Sequence, residues 1–413
     1  MIQIIKGKQG FKISLNKIIV CFFLTAVCAY MPSARFTDGL VSLASIFLLL
    51  FNTFYLMVKK RTVCMKIDAN FKWYLLFIFY GCLSIIWSKS TSQILLYLIT
   101  SFPIVLVGTL CCSAYINNED DVDWFLKSLV WAGTFAAIRF TLYTPWKQIL
   151  SSGYYIRGMF ASLLDGVTNY NSYSTHLMYV SVVSLYYVFF KNEKKYAFPS
   201  AILLIMQALS GSRKNLIVLL IITLFMVFAQ GNIKKKVKYL FIVILCVGVA
   251  IYAFNNVAFL NKYSKVFMDL FLSFFGNTVV DNSTLERTYL IQTALKVWIE
   301  NPIIGVGWEN FALYNDLNLL AHNNYLELLA SLGVIGFVIY YSNYVRLFWD
   351  SIQKKYDQPI NRLMQSFIMS LFIIEIGSVT ATSRERMFII LMIFFCRSIQ
   401  EKRKVTYIIS GVK

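Results

Sequence analysis

From about residue 18 to residue 398 the chain alternates apolar runs of roughly 15–20 residues with short polar connectors. A helix on the surface of a water-soluble domain shows one apolar stripe; these runs are apolar all round, as helices in lipid are. They predict about twelve spans, at approximately 18–34, 39–58, 71–88, 94–114, 124–144, 171–190, 196–211, 215–230, 239–256, 325–347, 363–382 and 385–398. The runs at 196–211 and 215–230 flank Gly211-Ser-Arg-Lys-Asn215, which reads as a tight hairpin. The expected fold is therefore all-α: a polytopic membrane helix bundle forming a single integral membrane domain over residues 1–413. Residues 257–324 form its one long hydrophilic segment. Within it, Ser283-Thr-Leu-Glu286 is a capping box opening a helix that runs past Trp298 and stops at Asn301-Pro302. A turn at Gly305-Val-Gly307 and a short amphipathic piece lead on to His322. No internal repeat of solenoid length is visible.

Composition agrees with the pattern: 58% of the 413 residues are hydrophobic, 17% aromatic and 14% charged. The net charge of +19 raises the question of nucleic acid, and the location of the charge answers it. Lys59, Lys60, Arg61 and Lys66, then Lys191, Lys194 and Lys195, then Lys234, Lys235, Lys236 and Lys238 fall on one side of the predicted spans. Lys354, Lys355, Arg362, Arg397, Lys402, Arg403 and Lys404 fall there too. By the positive-inside rule this side, with both termini, is cytoplasmic, and no case for nucleic acid remains. The lysines at 6, 8, 12 and 17 before the first run read as an uncleaved first anchor. The eight cysteines form no CxxC pair, and neither histidine stands among them as a metal ligand would.

The same count puts the 145–170 loop, the hairpin tip at Arg213, the 257–324 segment and the tip at Arg384 and Arg386 on the outer side. Arg213, Arg287 and His322, one of only two histidines, thereby share a face. Each has a plainer use: Arg213 and Lys214 as interfacial anchors, Arg287 paired with Glu286 or Glu300, His322 as a helix cap. As a group they suit chemistry. Guanidiniums grip phosphate oxygens bidentately, and a neutral imidazole accepts a proton from an attacking hydroxyl. A histidine at a helix N-terminus is kept neutral by the helix dipole. His176, just inside the sixth span, has a satisfied core ring as its plainer reading. Arg139 in the fifth span is expected to face an aqueous cavity. Ser331, Gly333 and Gly336 have the spacing of a helix–helix contact.

His322-Asn323, nine residues, then Gly333-Val-Ile-Gly336 resembles the signature of the O-antigen ligase and Wzy O-antigen polymerase family. Asn301-Pro-Ile-Ile-Gly305-Val-Gly307-Trp-Glu-Asn-Phe311 is similar to that family's lead-in, and Gly211-Ser-Arg213 to its Ser-Arg element. Arg157-Gly158, with Asn169 and Asn171, resembles a further family segment. The resemblance covers roughly residues 150–390. It implies a metal-independent, cofactor-free, inverting glycosyltransferase of the multi-spanning type in a bacterial cytoplasmic membrane, its site facing the periplasm or exterior. Donor and acceptor would be undecaprenyl-diphosphate-linked oligosaccharides, with a chain-length regulator protein as a further partner. Carried over, His322 is the base, and Arg213 and Arg287 hold the donor diphosphate. Lys214, Asn323 and Arg157 join them in substrate binding, although Lys214 stands where relatives have a small residue. Polymerase is the leading reading and ligase the alternative. A transporter is the rival class, against which stand the outer-edge position of the site and the lack of symmetric halves.

Overall fold

The computed structural model describes residues 14–31, 36–60, 64–143, 170–210, 212–256, 282–353 and 359–410. Helices make up every regular element among them. In chain order they are α1 (Leu15–Ala29), α2 (Phe36–Tyr55), α3 (Ala69–Leu83), α4 (Ser92–Thr100), α5 (Phe102–Ala114), α6 (Glu119–Tyr143) and α7 (Tyr170–Phe189). Then follow α8 (Ala197–Leu209), α9 (Arg213–Phe228), α10 (Ile233–Asn256), α11 (Asn282–Glu300), α12 (Asn324–Ile352), α13 (Pro359–Ile374) and α14 (Arg384–Ser410). By length and apolarity five segments can each cross a membrane: Phe36–Lys59, Ala69–Ile86, Ser92–Ala114, Glu119–Leu142 and Asn324–Ile352.

The described part of each apolar run falls on a helix, with two changes besides a break within α12. The run at 94–114 is cut at Ser101, because Pro103 has no N–H to continue the ladder of α4 and so begins a new helix, α5. The run at 363–382 ends as helix at Ile374, and residues 375–383 are an irregular loop. That loop matters to the site.

The first half of α14 is the axis of the bundle. Met387 to Cys396 are all buried, and α14 packs against α3, α5, α6, α7 and α13. Around it α1 lies on α6 and α2, α7 on α8 and α9, and α12 on α3 and α13. Phe47, Phe51 and Phe54 on α2, and Phe241, Ile244 and Val249 on α10, lie bare on the outside, as residues against lipid do. The acidic turn heading α6 joins the lysine-rich side: Lys17 pairs with Asp121 at 3.5 Å, and Lys127 with both Asp123 and Glu193.

Arg139 differs from expectation. Its guanidinium is engaged by protein groups: one nitrogen meets Asp38 Oδ1 at 2.7 Å, another donates to the Ala29 carbonyl at 2.7 Å, and the group lies over the Tyr30 ring. A charge placed within apolar surroundings is tolerated only with such partners.

Candidate active site

α12 is a broken helix, and the break organises the site. Gly333 sits at φ 64°, ψ −170°, a conformation essentially reserved to glycine, so the helical ladder cannot pass through it. An unbroken helix would bond the Val334 and Ile335 N–H groups to the carbonyls of Ala330 and Ser331. Instead the backbone of the Pro302–Gly307 stretch is inserted between them. Val306 N donates to Ala330 O at 3.0 Å and Gly307 N to Ser331 O at 2.7 Å. Val334 N donates to Pro302 O at 2.9 Å and Ile335 N to Ile303 O at 3.2 Å. These four groups orphaned by the break are each satisfied, as burial requires. The approach is so close that a Cβ on Gly305 would meet the Ser331 carbonyl, and one on Gly333 the Ile303 carbonyl. Gly333 therefore serves the break, not a small-residue contact between helices.

Past the insertion, Trp308 is buried against Gly81 of α3 and between the rings of Phe77 and Tyr97. Asn310 clamps the backbone of Ser90 through both its amide oxygen and its amide nitrogen, each at 2.8 Å. The stretch after α11 is thus anchored in the bundle. A second, small apolar core of Leu290, Ala294 and Val297 with Val306, Phe311, Ala321 and Ala330 seats α11 on the first half of α12. Residues 290, 294 and 297 form one helical stripe. Arg287 lies one turn before Leu290 on that stripe, where the packed core gives way to an exposed mouth.

His322 stands at that mouth in the left-handed region, φ 53°. It is not the helix cap. Asn323 is: its side-chain oxygen accepts from Leu326 N at 3.1 Å. On either side the chain is fixed. Ala321 N donates to Glu327 Oε2 at 2.8 Å, while Asn324 N donates to Glu375 O at 2.8 Å. The Asn324 side chain accepts from Thr380 N at 3.1 Å and donates to Tyr341 Oη at 3.1 Å. Glu375, fully buried, takes hydrogen bonds from Tyr341 (2.7 Å), Tyr340 (3.1 Å) and Thr380. Two clamps hold the residue between them in a conformation disfavoured for a side chain with a Cβ, while its exposed ring has no hydrogen-bond partner among the described residues.

The electrostatics join the pieces. The His322 imidazole is held below its ordinary value first by loss of hydration, then by the charges of Arg287 and Lys214, with Glu286 opposing. Lys214, in the first turn of α9, donates from Nζ to the Gly377 carbonyl of the α13–α14 loop. The turn before it is pinned to α7, since Asn215 links Ser212 Oγ (2.7 Å) and Thr175 Oγ1 (3.2 Å).

The charges of Arg287 and Lys214 thus reach His322 from two other stretches of the chain. Arg213 is the first residue of α9, beside Lys214; its side chain is outside the described residues, as is Arg157 altogether. Asn323 has its oxygen engaged as a cap. Among the described residues no group of three His, Cys, Asp or Glu side chains is placed to hold a metal ion. Sequence reasoning missed the clamping roles of Asn324 and Glu375 and the burial of Arg386. Glu375 carried a signal, being a lone acid inside an apolar run.

Residues 198–341 match the protein family described as O-Antigen ligase. This stretch is similar to that family. It runs from α8 through the break in α12 and contains Lys214, Arg287 and His322, whereas Arg157 and Arg386 lie outside it. No curated protein matches the chain. Family and apolar helices together mark an integral membrane protein.

A histidine kept neutral predicts a pH dependence for any reaction in which its free ring takes a proton. Because the His322 pKa is lowered, the deprotonated, proton-accepting ring persists to more acidic pH, and the acid limb of the rate profile should fall below about 6.5. Arg287→Gln removes a charge that lowers this pKa, so the limb should move to higher pH as the rate falls. A limb that stays in place while the rate drops would show that Arg287 does not act on His322.

Proposed function

We propose that the chain is a glycosyltransferase that polymerises undecaprenyl-diphosphate-linked oligosaccharide repeat units on the outer face of a bacterial cytoplasmic membrane, crossing it about twelve times. What supports this reading is that the charges of Arg287 and Lys214 reach His322, which has no hydrogen-bond partner among the described residues, within a stretch that matches the O-antigen ligase family. His322 takes the proton of the acceptor hydroxyl as its oxygen attacks the anomeric carbon from the face opposite the diphosphate, inverting it. Arg287 and Lys214, with Arg213 alongside, hold the donor diphosphate. Bidentate guanidinium contacts orient a phosphate group, and the fixed charges need no rearrangement as the bond breaks. Asn323 is assigned to the mouth as the cap that sets His322, and Arg157 to substrate binding.

The description of the matched family favours a second reading, transfer of a finished polysaccharide to a lipid A-core. Both reactions use the same set of groups, so the products decide. In a strain lacking this protein, single repeat units attached to the core mean that polymerisation is missing. Full-length chains left on the carrier lipid mean that ligation is missing, and they would overturn the polymerase reading in favour of the ligase.

A further inference from the structure

Behind the mouth, three consecutive residues of the α13–α14 loop hold two cations. Lys214 Nζ donates to Gly377 O. Arg386 Nη1 donates to Val379 O at 2.8 Å and to Ser378 Oγ at 3.4 Å. The charge of Arg386 acts on Lys214, as does that of Arg287 from the mouth side. Arg386 is only 5% exposed, yet among the described residues no carboxylate forms an ion pair with it or with Lys214. The nearby acids are engaged elsewhere: Glu385 with Arg384 at 2.9 Å and Ser383 Oγ at 3.1 Å, Glu375 with Tyr340, Tyr341 and Thr380. A guanidinium withdrawn from water without an anion is costly, and such a site is completed by an anion from outside.

The wall beside it points the same way. His176 of α7 is 2% exposed, and neither ring nitrogen has a hydrogen-bond partner. The hydroxyl of Tyr179, one turn on and fully buried, has none either. The charge of Arg386 acts on both side chains, with Glu385 opposing it at His176 and Glu375 at Tyr179, both acids being already engaged as above. An imidazole in either tautomer and a phenol each carry at least one polar hydrogen. The two cations thus have only neutral acceptors, and the buried polar atoms of His176 and Tyr179 near Arg386 have none; unsatisfied buried polar atoms call for an occupant.

We propose that Arg386, with Lys214, His176 and Tyr179, forms an anion site that receives the terminal phosphate of the lipid diphosphate as it leaves. This rests on the transferase reading. There the acceptor oxygen bonds to the anomeric carbon, and the bond from that carbon to the phosphate oxygen breaks with its electron pair kept by the diphosphate. The acceptor proton passes to His322. The lipid diphosphate leaves with one more negative charge than it brought. Arg287, Arg213 and Lys214 meet the charge already present in the donor, and Lys214 and Arg386 meet the charge that appears as the bond breaks. A cation placed for charge that only then develops lowers the barrier more than it tightens substrate binding.

The test uses the full chain in lipid nanodiscs with undecaprenyl diphosphate and undecaprenyl monophosphate as probes, affinities being read by native mass spectrometry. Wild type should prefer the diphosphate. Arg386→Gln should lose about tenfold or more of that preference and of kcat, with KM for the lipid-linked saccharide nearly unchanged. Arg386→Lys, which keeps the charge and a donor to Val379 but not the planar fork, should lie between. Should Arg386→Gln fail to fold, Arg386→Lys decides. Wild-type preference and kcat in the variants that fold would overturn the assignment of Arg386 alone. A wild-type protein that shows no preference for the diphosphate would overturn the transferase reading together with it.

Discussion

Replacing His322 with alanine is expected to stop chain growth while the protein reaches the membrane at its ordinary level. The ring is exposed and has no hydrogen-bond partner among the described residues, so its removal leaves no buried group unsatisfied, and stability should change by no more than about 1 kcal/mol. Asn323 still caps α12, and Glu327 and Asn324 still clamp the chain on either side. What disappears is the proton acceptor. General base catalysis contributes on the order of 10²–10⁴ in rate, enough to turn a ladder of long polysaccharide chains into single repeat units on a gel. A normal ladder from a strain making His322→Ala at the wild-type level would sink the assignment. A ladder shortened only in proportion to reduced protein would make the residue structural.

The second large effect belongs to Gly333, which touches no proposed substrate. Alanine there must adopt φ 64°, ψ −170°, and its Cβ must displace the Ile303 carbonyl that bonds Ile335 N. The backbone conformation alone costs about 1–3 kcal/mol, and expulsion of the inserted stretch adds the loss of four backbone hydrogen bonds. α11 is seated on α12 next to this insertion, so Arg287 would lose its register with His322. Misplacement by about 1 Å is worth roughly a hundredfold in rate. Gly333→Ala should therefore lower both the thermal midpoint in detergent and the activity of whatever remains folded. Gly248→Ala, in a helix position with nothing within 4 Å, is the control and should be neutral or slightly stabilising. Equal behaviour of the two variants would show that the break in α12 is incidental.

Much of the frame could be read from the sequence because bilayer helices announce themselves by length and apolarity. The end of α8 at Leu209 before a new helix at Arg213, and the stop of α11 at Asn301-Pro302, follow from local chemistry alone. The break in α12 does not, because hydropathy averages over Gly333 and the stretch that repairs it is about thirty residues earlier. For the same reason the run at 363–382 concealed a loop: Ile376, Val379 and Ala381 keep the average apolar while Glu375, Gly377 and Thr380 end the helix. Topology placed Arg213, Arg287 and His322 on one face and the family resemblance added Lys214; the reach of the Lys214 charge to His322 and the engagement of Asn323 as a cap are visible only in the fold. Arg386 went unassigned because an arginine near the end of an apolar run is ordinarily a topology marker, and only its burial without an anion distinguishes it.

The most direct test of the account is release of undecaprenyl diphosphate by the purified protein in nanodiscs supplied with undecaprenyl-diphosphate-linked repeat units, with EDTA present. The account predicts one lipid diphosphate released for each glycosidic bond formed, at a rate indifferent to EDTA and lost in His322→Ala. Bond formation that stops with EDTA, or that proceeds unchanged in His322→Ala, would contradict it.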